Sequence, residues 1–229
     1  MLIGNTDVAT IGVKLLRYRI TPSQYNGKSY WEAGALAPVL VKGSYTFATL
    51  ELDIFVQGES GADVELKKSK LNALMATPTI TLNEVDPNIE YLCSYDNQPV
   101  VDKINENASI VSYTFKAFKQ GKQKSIELKK TTSPQTVKIE GTGETEVIYE
   151  ITPDVSMAEF SIGDIRVLNL QAGKTLIVNG KKKTITQDGA NKIKDTDFWH
   201  FPSLAPGNNQ IKLSHTGVKV VLKYNPRFV

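Results

Sequence analysis

The sequence predicts a mainly β protein with one helix, divided into an N-terminal α+β domain at residues 1–130 and a C-terminal β-sandwich domain at residues 131–229. Three observations support this fold class. Apolar residues alternate with period two in the first half, one segment has helical spacing, and the second half consists of short β-branched runs separated by turns. A chain of 229 residues suits one large β domain or two small ones.

The strongest alternation lies in residues 47–56 and 111–118. Ala48, Leu50 and Leu52 fall on one side of the first segment, while Thr49 and Glu51 fall on the other. Since successive strand residues point to opposite faces, both segments are predicted strands with one face in a core. Three aromatic residues fall on the more polar faces of these strands, which predicts that another chain covers them: Phe47, Phe55 and Phe118.

The predicted helix covers residues 62–76. Ser60 and Asp63 have the spacing of a capping box, and Val64, Leu71 and Met75 follow at helical spacing before Pro78. Strands are predicted next at residues 79–82 and 89–95.

A polar, lysine-rich stretch at residues 120–134 marks the predicted domain boundary, with residues 125–128 as the last strand of the first domain. Beyond it, strands are predicted at 137–139, 147–151, 165–170, 176–178, 183–186, 211–213 and 218–224. Asn179-Gly180 is the strongest two-residue hairpin signal in the chain. Repeated turns at intervals of about ten residues are typical of a sandwich.

Composition excludes several classes of protein. The net charge is +3 and neither half is strongly basic, which disfavours sequence recognition of nucleic acids. The single cysteine, Cys93, allows no intrachain disulfide and is interpreted as a small strand residue. No basic segment followed by an apolar one opens the chain, and no apolar run approaches the length of a membrane span, so we expect neither a signal peptide nor membrane insertion.

The sequence contains no strong match to a catalytic or metal-binding motif. His200 and His215 lack a nucleophile motif, so we predict no catalytic residues and no cofactor. Asp188, Asn191, Asp195 and Asp197 lie within ten residues, but their spacing does not match a calcium loop, so we predict no metal. An enzyme of glycan metabolism that uses Asp195 or Asp197 is a weaker alternative.

Two aromatic groups lie outside the predicted strands. Tyr30 and Trp31 occupy a turn-rich loop and are predicted to contact another subunit. Phe198, Trp199 and Phe201 precede a Pro-Gly-Asn-Asn turn and are interpreted as residues that close the sandwich core. Phe201 and Leu204 are expected to fill one end of the sandwich, and Asn209 to bond nearby backbone.

The C-terminal residues resemble those of siphophage distal tail proteins, the Dit family. The resemblance lies in the Asn179-Gly180 hairpin, the corner at Phe201-Pro202, Leu204 and Pro206-Gly207, the run Asn209–Ile211, and the ending Tyr224–Phe228. The N-terminal half fits in the order of its elements, so the resemblance covers nearly the whole chain.

The resemblance implies a structural protein of the virion and no enzyme. Family members form a hexameric ring at the tip of a long non-contractile tail, closed by N-terminal belt domains, with a galectin-like C-terminal domain. The implied partners are five further copies, the tail tube protein, the tail-tip protein (similar to a tail-associated lysin) and receptor-binding or baseplate proteins. The implied location is the tail tip, after assembly in the cytoplasm of a host bacterium.

A ring needs head-to-tail contacts between subunits. The residues predicted to make them are Tyr30, Trp31, Phe47, Phe55 and Phe118. The alternative function is a carbohydrate-binding sandwich module.

Overall fold

The computed structural model describes residues 1–27, 29–30, 34, 36, 39–40, 43–76 and 78–229. Contacts divide the chain into two compact units, Met1–Gln120 together with Val229, and Gly121–Phe228. Both units are built mainly from antiparallel strands, and α1 is the one α-helix within the described residues. The predicted fold class, mainly β with a single helix, is confirmed.

The described residues of the first unit form one main sheet, two short ladders and the helix. Its elements are β1 (Leu2–Ile3), β2 (Thr6–Asp7), β3 (Val13–Thr21), β4 (Tyr25–Asn26), β5 (Ser29–Tyr30), β6 (Val39–Leu40), β7 (Ser44–Tyr45), β8 (Ala48–Gln57), α1 (Gly61–Leu74), β9 (Thr79–Thr81), β10 (Ile89–Tyr95), β11 (Val100–Asn105) and β12 (Ala108–Gly121). The main sheet has the order β2-β1-β9-β10-β12-β8-β3, with β11 also paired to β12. The pairs β4–β7 and β5–β6 form the two ladders.

One face of the main sheet packs against α1. The predicted alternation is confirmed in β8, where Leu50, Leu52 and Ile54 are fully buried. They share a hydrophobic cluster with Val64 and Leu71 of the helix. The helix begins where the sequence predicts, because the Ser60 Oγ accepts a hydrogen bond from the backbone N–H of Asp63 and thereby caps its first turn.

The second unit contains three groups of strands around one core. Its elements are β13 (Lys124–Leu128), β14 (Gln135–Ile139), β15 (Thr145–Pro153), β16 (Met157–Ile162), β17 (Ile165–Leu170), β18 (Leu176–Asn179), β19 (Thr184–Gln187), β20 (Ala190–Asn191), β21 (Thr196–Asp197), β22 (Ser203–Leu204), β23 (Gly207–Ile211), β24 (Val218–Tyr224) and β25 (Arg227–Phe228). The sheets have the orders β13-β24-β15-β18-β19-β20, with β22 on β15, then β14-β23, and β16-β17-β21. Their buried residues form a single cluster, which includes Val137, Phe160, Val167 and Leu222.

The strand β13 corrects the predicted role of residues 125–128. It pairs with β24 from Lys124↔Tyr224 to Leu128↔Val220 and is therefore the first strand of the second unit. This pairing places the division of the chain at Gln120/Gly121, ten residues before the boundary expected from composition. The lysine-rich stretch is a solvent-facing edge strand followed by a loop, and its polar composition reflects that exposure.

Two further local predictions differ from the structure. The hairpin at Asn179-Gly180 has a four-residue loop, because Asn179 pairs with Thr184 and the Asn179 Oδ1 accepts a hydrogen bond from the Lys182 N–H. The strand predicted at 211–213 instead spans Gly207–Ile211, since it pairs with all of β14.

The corner before β23 is held by one asparagine side chain, as the sequence predicts. The Asn209 Nδ2 donates to the carbonyl of Ala205 at 2.8 Å and to that of Gly207 at 3.1 Å. Phe201 and Leu204 pack against the core beneath it, as expected.

We expect Asn209→Ala to lower the free energy of unfolding by about 1 kcal/mol, because two backbone carbonyls lose their donor. The change is measurable as a lower melting temperature. The exposed neighbour Asn208 pairs with Lys138 through the strand backbone, so Asn208→Ala is the control. Equal melting temperatures for the two variants would contradict this role for Asn209.

Candidate assembly surfaces

The face of the first-unit sheet opposite α1 carries a charge network. Asp53 of β8 lies between β3 and β12, where it accepts hydrogen bonds from the Arg17 Nε at 2.9 Å and the Ser112 Oγ at 2.7 Å. Arg19 and Glu51 form a longer ion pair at 3.9 Å in the same strands. Because strand residues alternate, these polar groups share one face while Leu52 and Ile54 fill the core behind it.

The hydrogen bond from Ser112, together with that from Arg17 and its charge, lowers the pKa of the Asp53 carboxyl below its ordinary value. A carboxyl with a lowered pKa stabilises the folded state above the pKa of the unfolded chain, and this contribution is lost as the pH falls through the lowered value. We expect Asp53→Asn to reduce the free energy of unfolding by about 1 kcal/mol at neutral pH. The difference from the parent chain should shrink below about pH 4.

Denaturant titrations at neutral and acid pH would measure this difference. Asp164→Asn, at the exposed turn between β16 and β17, is the matched control and should change little at either pH. An Asp53→Asn deficit that is equally large in acid would contradict an electrostatic origin.

Two of the longer strands form open edges of the first-unit sheet, in addition to the two-residue end strand β2. Within the described residues, β3 pairs only with β8, and β11 pairs only with β12. An open edge presents backbone N–H and C=O groups that can pair with another chain. The edges differ in side chains, since β3 exposes Leu16, Tyr18 and basic residues whereas β11 exposes Val100, Val101 and Ile104.

The sequence did not indicate the exposed apolar side chains of β11, which make this edge a candidate contact surface. Val100, Val101 and Ile104 are 59%, 48% and 54% exposed, and every residue of this strand faces solvent. Three aliphatic side chains on an unsheltered edge strand are costly for an isolated chain in water. The sequence signal that could have indicated this surface is a short apolar run that does not alternate.

The segment between β3 and β8 carries exposed aromatic side chains. Tyr25 and Tyr45 face each other across the β4–β7 ladder, with ring centroids 5.2 Å apart. The Tyr25 hydroxyl accepts a hydrogen bond from the Gly43 N–H at 2.9 Å, which ties the two strands together. This ladder is therefore ordered by its own contacts while its rings stay accessible.

The five residues predicted to contact another subunit have different environments. Tyr30 and Phe47 are both 61% exposed, which leaves large apolar surfaces available to a partner. Phe55 and Phe118 are half-buried on β8 and β12. Trp31 lies outside the described residues. The contact itself stays a prediction for all five.

Groups that could support catalysis are not assembled into a site in the part of the chain that the structure describes. Burial raises the pKa of the Cys93 thiol to about 12, so its thiolate is not available near neutral pH, and Cys93 is a partly buried residue of β10 as predicted. Asp195 pairs with Lys192 at 2.6 Å. Among the described residues, no three His, Cys, Asp or Glu side chains converge as metal ligands. The same residues include no helix with the length and apolar character of a membrane span.

The second unit exposes one tryptophan. Phe198 and Phe201 pack on the core with their rings 4.8 Å apart, but Trp199 between them is 94% exposed. The interpretation of Trp199 as a core residue was therefore wrong. Trp199 lies in a bend beyond the end of β21, between two phenylalanines that pack on the core.

A family of known proteins matches a segment that lies within the second unit of the chain. Residues 140–228 match the family of the siphovirus-type tail component, C-terminal domain, whose model is that of SPP1 Dit. The chain carries a Dit-family tail component domain. The resemblance found in the C-terminal motifs is thereby confirmed, and no curated protein sequence matches the chain.

Solved structures extend the likeness to the first unit of the chain. The crystal structure of SPP1 Dit, described as a hub of the adsorption apparatus in phages that infect Gram-positive bacteria, superposes with a TM-score of 0.77 at 15% identity, covering 100% of this chain and 98% of that one. A chain of the phage P2 baseplate in its activated conformation with Ca matches with a TM-score of 0.58 at 14% identity, covering 98% and 94%. At these identities the likeness shows a shared fold across both units.

Proposed function

We propose that this chain is a structural component of a siphophage tail tip, where copies of it form a ring that joins the tail tube to the tail-tip protein. The ring acts as the hub on which baseplate or receptor-binding proteins dock, and the chain has no enzymatic role. The fold shared with SPP1 Dit over the whole chain supports this proposal. So does the tail-component family of its C-terminal domain.

The main observation in favour of a ring is that the two sheet edges β3 and β11 of the first unit expose different side chains. A closed ring needs two different, complementary surfaces on each subunit, because its contacts run head to tail. The basic edge β3 and the aliphatic edge β11 are two such surfaces on one sheet, and they belong to opposite sides of the β8–β12 pair. The exposed Tyr30 and Phe47 add apolar area in the adjoining segment.

The proposed ring contains six subunits. Light scattering across a concentration series tests it, since six copies of a 25.3 kDa chain have a mass of about 150 kDa. A mass at this value or a multiple of it supports the ring. A mass of one subunit at every concentration contradicts a ring that closes by itself.

A further inference from the structure

The chain contains two Asn-Gly dipeptides, Asn26-Gly27 and Asn179-Gly180. In such a dipeptide the backbone nitrogen of the glycine can attack the Cγ carbon of the asparagine side chain. A new C–N bond closes a succinimide ring, and the bond from Cγ to the amide nitrogen breaks. That nitrogen leaves as ammonia with the proton of the glycine N–H. Glycine favours the attack, because it has no Cβ atom and the widest choice of backbone angles.

The fold opposes this reaction at Asn179-Gly180. The Gly180 N–H donates to the Val147 carbonyl at 3.0 Å, which directs the attacking nitrogen away from the Asn179 side chain. The Asn179 Oδ1 accepts a hydrogen bond from the Lys182 N–H at 2.8 Å, and this contact fixes the carboxamide. Asn179 also pairs with β15 on one side and with β19 on the other. Ring closure here therefore requires the main sheet of the second unit to open.

The structure protects Asn26-Gly27 far less. Both residues are exposed, and Asn26 is the last residue of β4, opposite Ser44 in a ladder of two residue pairs. An extended residue keeps the next nitrogen away from its side-chain carbon, so the ladder must open before the ring can close. So short a two-stranded ladder is marginally stable, and such segments open well below the free energy of global unfolding. The contact between the Tyr25 and Tyr45 rings resists this opening.

We propose that Asn26 is a site of spontaneous deamidation in the folded chain, whereas Asn179 is protected. Water opens the succinimide at one of its two C–N bonds, which gives aspartate or isoaspartate. The net reaction consumes one water, releases one ammonia and involves no oxidation.

Either product changes the exposed β4–β7 ladder. It adds a carboxylate to the end of β4, beside Tyr25. Isoaspartate also carries the side-chain carbon in the backbone, so the regular pairing with Ser44 is lost. This inference does not rest on the proposed ring, because it concerns the local structure of a single subunit.

The test is incubation of the folded full chain at mildly alkaline pH, since loss of the glycine N–H proton promotes the attack. Trypsin then releases Asn26 in residues 20–28 and Asn179 in residues 175–181, so one digest reports both sites. Mass spectrometry follows the replacement of the amide NH₂ by OH over time, against a sample digested before incubation. We expect Asn26 to react about tenfold faster than Asn179, or more. Equal rates in the folded chain, or a faster reaction at Asn179, would overturn the proposal.

The same incubation in guanidinium chloride measures the contribution of the fold. Without folded structure the two rates should agree within about threefold, because both sites then have only their intrinsic chemistry. A preference for Asn26 that is equally large in the unfolded chain would show that sequence, and not the ladder, selects the site.

Two variants locate the reaction and its cause. Tyr45→Ala removes the ring contact with Tyr25 and should speed the reaction at Asn26 about threefold or more, while Asn179 stays slow. Asn179 thus serves as the internal control for general destabilisation. Asn26→Gln should abolish the mass change in residues 20–28, because glutamine would have to close a larger ring. A change that persists in this peptide would assign the reaction to Gln24, and an unaltered rate in Tyr45→Ala would exclude control by the ladder.

Discussion

The double variant Val101→Lys/Ile104→Lys is expected to remain a single 25.3 kDa subunit at concentrations where the parent chain assembles. Both side chains are about half exposed on β11, and the strand has an open edge within the described residues. If a second copy covers this edge, each lysine must lose its water without gaining a partner. Loss of one buried anchor in an interface typically costs about 2 kcal/mol or more, so two substitutions at every contact of a ring are enough to dissociate it at micromolar concentration.

The control for this variant is Val155→Lys. Val155 is an equally exposed aliphatic residue of the second unit, outside the first-unit sheet edges. It should assemble like the parent chain, and both variants should keep the parent melting temperature of the subunit. A double variant with the full mass of the parent assembly would exclude β11 from the subunit contact.

Gly180→Ala is expected to cause a large loss of stability in the second unit. A Cβ atom at this position would lie 2.3 Å from the Pro202 carbonyl oxygen and 2.7 Å from that of Val147. Both are backbone atoms, so no side chain can rotate away. The Gly180 N–H also donates to the Val147 carbonyl at 3.0 Å, and relief of the clash would break this bond.

We expect Gly180→Ala to cost about 3 kcal/mol, which for a unit of this size lowers the melting temperature by about 13 °C. Gly189→Ala is the matched control. Gly189 has a φ of +80° but open space around the added methyl group, so only the backbone strain of about 1 kcal/mol applies. Calorimetric unfolding compares the two variants, and equal losses would show that close approach is not what requires glycine at 180.

The residues that could be predicted from the sequence are those whose own neighbours along the chain decide their structure. The alternation of Leu50, Leu52 and Ile54 specifies a strand with one buried face, and Ser60 with Asp63 specifies where the helix begins. The Asn209 side chain reaches carbonyls only two and four residues away, so its role could also be inferred.

Residues whose environment depends on distant strands could not be predicted. From the sequence, Leu128 is predicted to end the last strand of the first domain. Its pairing with Val220 assigns it to the second unit. Trp199 resembles its core neighbours Phe198 and Phe201 in type, and only the position of the sheet beneath it shows that its ring faces water. Likewise, Val101 is of a residue type common in core strands, but it lies on the edge strand β11.

The sequence by itself therefore determined the fold class, the helix, most strands and the family of the C-terminal domain, because periodicity, capping and turn residues act over short distances. Only the tertiary structure decided which strands lie at sheet edges, which aromatic rings remain in solvent, and which charges share a face. Those properties are set by long-range pairing between strands, since a strand has an open edge or a covered one only by virtue of its neighbours in space.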